Sequence, residues 1–459
     1  MSRIQLFFVI SMTFFAACDG GDSDAVTTKD GWQILFNGNT LDGWKRLNGS
    51  AEFIVAEGAI TARTKRGEPN TFLATKQTFG DFALELEFKS DPFINSGIQI
   101  RSLSNDYQSG KVHGYQVELD PSSERSWTGG IYDEARRGWL YPMGLNSQGG
   151  KAFKSNEWNK IYIEAIGNQI KTWVNDVPAA FLIDDMTDRG FIALQVHSYD
   201  RADLDGRMMQ WRNIRIKTQN IERMEGEFPY IVNTIPNQIS QEEKSQGWFS
   251  LFDDSVDKWR GAQMEDFPAK GWKINNGSLI AEGAADAAAR GGDIVTKDRY
   301  AYFEFETEFK LSKAANSGIK YFVRNDYNAS SEDMLGLEYQ IIDAEGYAEA
   351  HEPLTETHTM GALYDLIPPT IPAIFIRPAG EWNHARIVSR PDKTVEHWLN
   401  HIKVLEYKRG SNNYNALVKR SKFKGLSDFG LASEGHIMLQ DHGGEVSFRS
   451  IQLRTIAEK

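Results

Sequence analysis

Apolar and acidic residues alternate along two stretches of the chain, residues 82–88 and 302–309. A period of two is typical of β-strands with one buried face, because successive side chains point to opposite sides of a strand. Residues 160–175 show the same alternation on either side of Gly167-Asn168, which predicts a hairpin. Many short strands of this kind, separated by glycine-rich turns, predict an all-β fold of the sandwich or jelly-roll type.

Short segments recur in the same order in the two halves of the chain. The matching pairs are 31–37 with 247–253, 95–98 with 316–319, 129–133 with 361–365, 157–159 with 381–383, 194–197 with 439–442 and 211–214 with 448–451. An ordered repeat of this length predicts two tandem copies of one domain, at 31–217 and 247–456. We interpret the polar residues 218–246 as a linker, and residues 415–420 as a short helix inside an insertion of the second copy.

The composition agrees with two β domains and narrows the class of partner. A chain of 459 residues exceeds the size at which single cores stop growing, about 250–300 residues. Its 12 Trp, 16 Tyr, 26 Phe and 40 Gly favour aromatic strands and tight turns over a helical bundle. A net charge of −12 leaves no broad basic face for phosphates, so we expect no nucleic-acid partner and favour a neutral substrate.

The first 18 residues have the order of a signal peptide, with one basic residue, an apolar run and small residues before Cys18. Cys18 is the only cysteine, and its setting resembles the lipobox of bacterial lipoproteins, in which that cysteine is acylated. We therefore expect an exported protein that is lipid-anchored at Cys18 to the cell envelope, on its periplasmic or outer side, with residues 19–30 as a flexible tether. A cleaved, freely secreted protein is the alternative. No later stretch approaches the roughly twenty apolar residues that span a bilayer, so the anchor would be the only membrane contact.

Strand alternation gathers polar residues on one face of residues 114–120. Gln116, Glu118 and Asp120 share that face, and the matching segment of the second copy pairs Glu338 with Gln340. Amide and carboxylate have exchanged places between the copies. A Glu beside a Gln, flanked by apolar residues, suggests the lining of a hollow sheet face, and an ordinary solvated face is the alternative.

A cation shares a strand face with the repeated Asn-Ser-Gly-Ile segment in each copy. Alternation groups Asn95 with Arg101 in the first copy, and it groups Asn316 with Lys320 and Arg324 in the second. Such a cation either stabilises a developing negative charge or forms a structural ion pair with the neighbouring Glu, and the sequence leaves both open.

One histidine recurs between the copies, as His197 and His442. Each follows a repeated glutamine by two residues, Gln195 in the first copy and Gln440 in the second. These four side chains are further candidates for a site, and a structural histidine with satisfied hydrogen bonds is the alternative.

The loop 128–142 carries Tyr132 and Trp139, whose flat faces can stack on a sugar ring. Its counterpart in the second copy is richer in proline and offers Tyr364. An interface between the two domains is the alternative location for these aromatic rings.

The ordered segments resemble a bacterial family of 3-keto-disaccharide hydrolase domains, and the resemblance covers both copies almost end to end. It is closer in the second copy, although His401 and Ser450 replace the Gly and Asn that are usual in the family. The segments that carry it there are 316–319, 338–343, 362–369, 396–400 and 439–443. The resemblance implies a concanavalin-like β-sandwich that cleaves an oligosaccharide or glycoside after a separate 3-dehydrogenase has oxidised the sugar at C3.

The chemistry of such a substrate defines the groups a site must hold. A ketone at C3 acidifies the C2 proton and places the glycosidic oxygen β to the carbonyl, so cleavage can run by elimination and subsequent addition of water. The site then needs a base, a donor or cation for the enolate oxygen, and an acid for the leaving oxygen. The candidate catalytic residues are Glu118, Arg101, His197, Asp120, Glu338, His442 and Lys320. The candidate substrate-binding residues are Asn95, Gln116, Tyr132, Trp139, Gln195, Asn316, Gln340, Arg324, Tyr364 and Gln440.

Other functions compete with this one. No closely spaced histidine pair with a carboxylate forms a known ligand pattern, so we expect no metal or other cofactor and leave a structural or catalytic divalent cation open. An ordinary retaining glycosidase would use Glu118 and Asp120 with Glu124, but Pro121 breaks the strand before Glu124. A non-catalytic carbohydrate-binding module is the other alternative, because the same fold serves lectins.

Overall fold

The computed structural model describes residues 27–458, except 105–110, 123–124, 285, 287–289, 326–333 and 352. The expected signal peptide with Cys18, most of the tether and Glu124 lie outside the described residues. Within the described part, no helix is both long enough and apolar enough to cross a membrane.

Fifteen strands form the first copy and one more lies in the linker. They are β1 (Gln33–Ile34), β2 (Trp44–Asn48), β3 (Phe53–Ala56), β4 (Ala59–Arg63), β5 (Thr71–Thr75), β6 (Phe82–Ser90), β7 (Ser96–Ser104), β8 (Val112–Leu119), β9 (Ile131–Glu134), β10 (Gly138–Tyr141), β11 (Asn159–Ile166), β12 (Gln169–Val174), β13 (Val177–Ile183), β14 (Phe191–Val196), β15 (Met208–Lys217) and β16 (Val232–Asn233). One sheet has the order β16-β13-β12-β11-β6-β15-β4-β3 with β1 beside β15, and the other has the order β10-β9-β8-β7-β14-β5-β2.

The second copy repeats this layout with fewer strands. They are β17 (Phe249–Ser250), β18 (Trp259–Gly261), β19 (Trp272–Asn275), β20 (Ser278–Ala281), β21 (Ile294–Thr296), β22 (Phe303–Leu311), β23 (Asn316–Arg324), β24 (Leu335–Ile342), β25 (Trp382–Ser389), β26 (Thr394–Leu399), β27 (Ile402–Lys408), β28 (His436–Leu439) and β29 (Val446–Thr455). The sheet orders are β19-β20-β29-β22-β25-β26-β27, with β17 beside β29, and β18-β21-β28-β23-β24. The second copy therefore lacks, among its described residues, a hairpin equivalent to β9–β10.

Helices are few and short. They are α1 (Ser147–Gly150), α2 (Gln241–Ser245), α3 (Ala344–Ala350) and α4 (Asn412–Val418), with 3₁₀ turns at Met143–Leu145, Ala202–Leu204, Glu356–His358, Ala373–Phe375 and Lys422–Gly425. The helix expected at 415–420 is α4, which begins earlier because the Ser411 side chain accepts a hydrogen bond from the Tyr414 amide at 3.2 Å and caps the helix.

Alternating burial explains why these sequences form a sandwich. In β6 the apolar side chains are buried and Glu85 and Glu87 are half-buried on the opposite face. In β8 the side chains of Tyr115, Val117 and Leu119 lie in the core of the first copy. Each large apolar side chain that is fully buried in this way contributes about 1.5–3 kcal/mol. The prediction of an all-β fold with two sandwich domains is confirmed, and so is the hairpin at Gly167-Asn168, where Ile166 pairs with Gln169.

A β-bulge interrupts β7 and β23 at equivalent positions. The register against the next strand shifts between residues 100 and 103 in β7 and between residues 321 and 324 in β23. Arg101 and Phe322 both have positive φ there, 45° and 52°. The bulge in β7 lies against the backbone of Gly190, since a Cβ on Gly190 would come within 2.3 Å of the Arg101 carbonyl carbon. Strand alternation counted from the Asn-Ser-Gly-Ile segment is therefore broken at the bulge.

The linker 218–246 is bonded to both copies. Its strand β16 pairs in parallel with β13 of the first copy. The Asn237 carboxamide oxygen accepts a hydrogen bond from the Ser450 amide at 2.7 Å, and its Nδ2 donates to the Gly277 carbonyl at 2.6 Å. Tyr230, buried in the core of the first copy, donates its hydroxyl proton to Glu306 of the second. These contacts hold the two sandwiches in one orientation.

Candidate active site

A cleft of about 600 Å³ opens on the face of the first copy's second sheet that points away from the core. Because Tyr115, Val117 and Leu119 point inward from β8, Gln116 and Glu118 point to this outer face. The cleft brings together six of the side chains selected from the sequence, namely Asn95, Gln116, Glu118, Tyr132, Trp139 and His197. The rest of the lining includes residues of the second copy, and they are Ile374, Phe375, Arg377, Glu381 and Asn400.

Two amide groups hold the buried carboxylate of Glu118. Asn95 Nδ2 donates to Glu118 Oε2 at 2.9 Å, and Gln116 Nε2 donates to Oε1 at 2.6 Å. The orientation of the Gln116 amide is set by Gln99 Nε2, which donates to Gln116 Oε1 at 2.6 Å, and Ser102 Oγ donates to Gln99 Oε1 at 2.5 Å. This chain of amides points donors at the carboxylate and fixes its rotamer.

Burial raises the pKa of the Glu118 carboxyl from its ordinary value of 4.5 to about 7. The hydrogen bonds from Asn95 and Gln116 oppose this shift because they stabilise the anion, and the nearby negative charge of Glu134 adds to it. A carboxyl with a pKa near the working pH is suited to take a proton, since it is partly ionised yet basic.

Glu134 is a second carboxyl in the cleft that the sequence analysis did not select. It follows Tyr132 by two residues on β9 and therefore shares its face, and that i, i+2 spacing was the signal available in the sequence. Its Oε1 accepts a hydrogen bond from Asn70 Nδ2 at 3.2 Å. Burial raises its pKa, so the cleft holds two carboxyls that both bind a proton more tightly than usual.

Arg136 lies at the edge of the cleft, but its guanidinium lies over the ring of the core residue Tyr115, 5.2 Å from the ring centroid. Its Nε donates to Asp133 Oδ1 and its Nη1 donates to Thr187 Oγ1, both at 2.7 Å. Its Nη2 is buried and has no hydrogen-bond partner among the described residues. Because Asp133 alternates with Tyr132 and Glu134 along β9, the guanidinium that it holds lies on the face opposite the cleft, and Arg136 offers no donor to a ligand there. Its neighbour Arg137 is instead bound on both sides, to Asp133 and Asp184.

Aromatic rings form one side of the cleft. Trp139 packs edge-on against Trp127, with ring centroids 5.1 Å apart, and against Tyr132, with centroids 5.6 Å apart. The β9–β10 hairpin places Tyr132 opposite Trp139 and also pairs Tyr132 with Gln116 on β8. The rings are thereby fixed beside the Glu118 carboxylate, where they can contact the apolar face of a sugar.

His197 lines the cleft as a neutral ring. Its Nδ1 lies 2.7 Å from the Ser198 carbonyl oxygen, which can only accept, so Nδ1 carries the proton and Nε2 is an acceptor. Burial lowers the pKa of His197, which keeps the ring neutral at pH 7. His197 is therefore placed to accept a hydrogen bond and does not hold a proton to donate from Nε2.

The second copy arranges its residues differently. Glu338 pairs across β23–β24 with Lys320, and burial raises the pKa of Glu338, partly offset by the charges of Lys320 and Lys422. The amide of Gln340 donates to Asn316 Oδ1 at 2.8 Å. No amide donor to Glu338 is observed among the described residues. The carboxylate of the second copy thus faces cations where that of the first copy faces amides.

The second cavity, of about 420 Å³, is lined by residues of the second copy that include Asp293 and Lys320. Among the residues selected from the sequence, Lys320 lines it and Glu338 does not. His442 lies close enough to Asp293 for the two charges to interact, and burial lowers the pKa of His442. Tyr364 lies outside this cavity, with its ring centroid 4.2 Å from Lys422 Nζ and 4.5 Å from that of the tilted His358 ring.

Two segments of the chain, residues 31–217 and 247–454, match the family model of the 3-keto-alpha-glucoside-1,2-lyase-like domain. The chain belongs to this family. A 3-keto-disaccharide hydrolase of Bacteroides thetaiotaomicron is 31% identical over 234 residues, which cover 46% of this chain and 79% of that protein. The family resemblance drawn from the sequence is thereby confirmed.

Solved structures also align with about one copy each. A presumed glycosyl hydrolase of Parabacteroides distasonis is 28% identical with a TM-score of 0.43, over 49% of this chain and 100% of that one. The carbohydrate binding module CBM66 of Bacillus subtilis is 16% identical with a TM-score of 0.28, over 38% of this chain and 95% of that one.

In the first lyase-like domain, Arg101 does not reach the cleft, contrary to the face assigned to it by alternation. Because it sits on the bulge, its guanidinium turns to the carbonyl oxygens of Gly80 at 2.9 Å and Gly167 at 2.7 Å and to Asp81 at 3.0 Å. Arg101 therefore has a structural role, because it links β7 to the residues before β6 and to the β11–β12 turn. In the second lyase-like domain the equivalent Phe322 lies in the core, and Arg324, beyond the bulge, is half-buried opposite Leu335.

Asp120 is also turned away from the cleft. Its carboxylate is paired with Arg125, whose Nε and Nη2 donate at 2.7 and 2.9 Å, and it accepts from the Ser122 amide at 2.9 Å. These bonds close the turn that follows β8. The strand ends at Leu119, so alternation does not extend to Asp120.

The repeated glutamines are buried in both lyase-like domains. Neither amide atom of Gln195 has a hydrogen-bond partner among the described residues, and the same holds for Gln440 Oε1. Burying an unpaired amide atom costs about 1–3 kcal/mol. Within the described chain, no group of three or more His, Cys, Asp or Glu side chains is placed to hold a metal ion.

Proposed function

We propose that the protein cleaves the glycosidic bond of 3-keto-glycosides in the cleft of the first copy, by elimination across C1 and C2. The observation that carries this proposal is the buried Glu118 carboxylate, held by two amides and with a pKa near 7, in a cleft with aromatic rings. The family description, which names a 1,2-lyase, supports the same reaction class.

Each group in the cleft has a place in this reaction. Glu118 removes the C2 proton, and the electron pair moves to the C3 carbonyl oxygen, where the Tyr132 hydroxyl at the cleft donates a hydrogen bond to the enolate. The enolate then collapses to a C1–C2 double bond as the C1–O bond breaks, and Glu134 supplies the proton to the departing oxygen. Addition of water, with hydroxyl to C1 and a proton to C2, gives the net result of hydrolysis.

The roles of base and acid follow from the environments of the two carboxyls. Glu118 accepts two amide hydrogen bonds, which favour its anion, whereas Glu134 accepts one from Asn70. Glu118 is therefore the base and Glu134 the acid. In the described part of the second copy, Glu338 has no amide donor and does not line the cavity, so we assign the reaction to the first copy.

The test uses Glu118→Gln, with Glu338→Gln as the matched control at the exchanged position of the second copy. On a panel of 3-keto disaccharides, Glu118→Gln is expected to lower kcat by about 10²–10⁴-fold, the usual contribution of a general base. Glu338→Gln is expected to stay within about threefold of wild type. The reverse result would assign the reaction to the second copy and refute the proposed site.

A second function is favoured by one observation, the presence of two carboxyls in one cleft. An ordinary retaining glycosidase also needs such a pair, but it leaves the C2 proton in place. Incubation of a 3-keto disaccharide in D₂O separates the two reactions, because elimination and hydration introduce deuterium at C2. Release of sugar without deuterium at C2, or equal cleavage of the unoxidised disaccharide, would favour the glycosidase.

We further propose that the protein is exported and anchored through acylated Cys18, and that a separate 3-dehydrogenase supplies its substrate. The signal-peptide order of residues 1–18 supports the first point. Wild type should fractionate with membranes and Cys18→Ser should not. Equal distribution of the two proteins would contradict the anchor.

A further inference from the structure

The cleft of the first copy is completed by a segment of the second. Four residues of the segment 374–381 of the second copy form a wall of this cleft, which the aromatic β9–β10 hairpin of the first copy also lines. The described lining of the second copy's own cavity comes from that copy alone. The two sites therefore differ in their construction, and the first one depends on both domains.

Two asparagines hold this segment in place. Asn383 exchanges two hydrogen bonds of 3.0 Å with the backbone of Arg377, and Asn400 Nδ2 donates to the Phe375 carbonyl at 2.6 Å. The first copy uses an equivalent pair, Asn159 and Asn175, for its own segment near residues 152–154. The fold thus fixes this segment in both copies, and in the second copy it lines the cleft of the neighbouring domain.

The orientation of the two domains keeps that wall at the cleft. Trp398 of the second copy belongs to the apolar core cluster of the first. The buried Arg386 guanidinium lies 4.3 Å from the ring centroid of Tyr230 in the linker and 5.0 Å from that of Trp398. Because this interface is buried and hydrogen-bonded, it fixes the orientation of the two domains and so keeps the wall at the cleft.

The chemistry of the wall fits a sugar ring. Ile374 is 84% exposed although it is apolar, and it lies at the cleft. Asn175 holds Ala152 in the first copy as Asn400 holds Phe375 in the second, so the residue that corresponds to Ile374 is Lys151 and the repeat does not require an apolar side chain there. Arg377 and Glu381 stand beside Ile374 with groups that can bond hydroxyls. A cleft of about 600 Å³ lies within the range that encloses whole ligands of drug size, larger than one sugar ring.

We propose that the second copy supplies the leaving-group subsite of the first-copy cleft, with Ile374 and Phe375 against the apolar face of the departing sugar and Arg377 and Glu381 at its hydroxyls. This rests on the proposed function, which places the reacting ring over Glu118. The second copy is then a specificity element for the active site of the first.

The test compares a 3-keto disaccharide with the methyl 3-keto-glycoside of the same reacting sugar. For Ile374→Ala the ratio of the two kcat/KM values, disaccharide over methyl glycoside, is expected to fall at least about fivefold, since apolar contacts of a few carbon atoms are worth that much. The control is Ile274→Ala, an exposed isoleucine of β19 that is 42% exposed and outside the cleft, which should leave the ratio unchanged. An unchanged ratio for Ile374→Ala, including an equal fall for both substrates, overturns the subsite.

Failure of the proposed function gives a different result. If wild type turns over neither substrate, the reaction is wrong, and calorimetric binding of the same disaccharide then decides the subsite alone. Weaker binding by Ile374→Ala than by Ile274→Ala supports the subsite, and equal binding overturns it.

Discussion

Removal of the Asn95 amide is expected to move the pH dependence of the reaction. Asn95 Nδ2 donates a 2.9 Å hydrogen bond to Glu118, and this bond stabilises the anion of a carboxyl whose pKa burial has raised to about 7. A hydrogen bond to a charged group contributes about 1.5–3 kcal/mol. At 1.36 kcal/mol per pKa unit, its loss raises the pKa of Glu118 by about one to two units.

The base must be ionised to act, so kcat/KM of wild type should rise about tenfold per pH unit below pH 7 and level off above it. In Asn95→Ala the midpoint of that rise should move to about pH 8, the lower end of the range, because water entering the vacated space restores part of the bond. The assay is kcat/KM for a 3-keto disaccharide between pH 5 and pH 9.

The matched control is Asn316→Ala, at the same position of the repeated Asn-Ser-Gly-Ile segment. Asn316 bonds to the amide of Gln340 and not to a carboxylate, so its loss should leave the midpoint in place. A midpoint that stays near pH 7 in Asn95→Ala, or moves to lower pH, would refute the role of Glu118 as the titrating base.

The same carboxyl and its neighbours provide two further predictions. Because the folded-state pKa of Glu118 is raised from 4.5 to about 7, wild type binds this proton more tightly when folded and loses about 3 kcal/mol of stability as pH rises from below 4.5 to above 7. Glu118→Gln removes that dependence, so chemical denaturation should show its stability relative to wild type increasing between pH 5 and pH 8, and a constant difference would contradict a raised pKa. In Gly97→Ala the added Cβ would lie 2.4 Å from Gln116 Cδ and would displace an amide that donates to Glu118, so kcat/KM should fall at least about tenfold. The control is Gly144→Ala, whose added Cβ has no atom within 4 Å, and its kcat/KM should stay within about twofold of wild type. Equal rates for the two glycine variants would show that the Gln116 amide is dispensable.

The two copies place their carboxylates at different positions of one scaffold. In both, the glycine of Asn-Ser-Gly-Ile makes room for a long side chain of the adjacent strand, Gln116 over Gly97 and Glu338 over Gly318. The first copy places Gln99 beside this position and the second places Lys320. The carboxylate of the first copy therefore lies among amide donors, whereas that of the second lies near the charges of Lys320 and Lys422.

The local pattern of the chain determined the strands, the hairpin at Gly167-Asn168, the repeat and the Glu118, Gln116 and Asn95 group. These features depend on alternation within one strand or on pairing of strands that follow each other along the chain, and the order of residues specifies both. Alternation failed where the backbone departs from a regular strand. The bulge turned Arg101 to the carbonyl oxygens of Gly80 and Gly167.

Tertiary structure alone decided which groups meet across strands and across domains. Glu134 enters the cleft because β9 pairs with β8, and Ile374 reaches it because a buried interface fixes the second sandwich against the first. No periodicity in the chain encodes the relative placement of two domains, since that placement comes from side chains such as Trp398 and Tyr230 that pack together only once both sheets have formed.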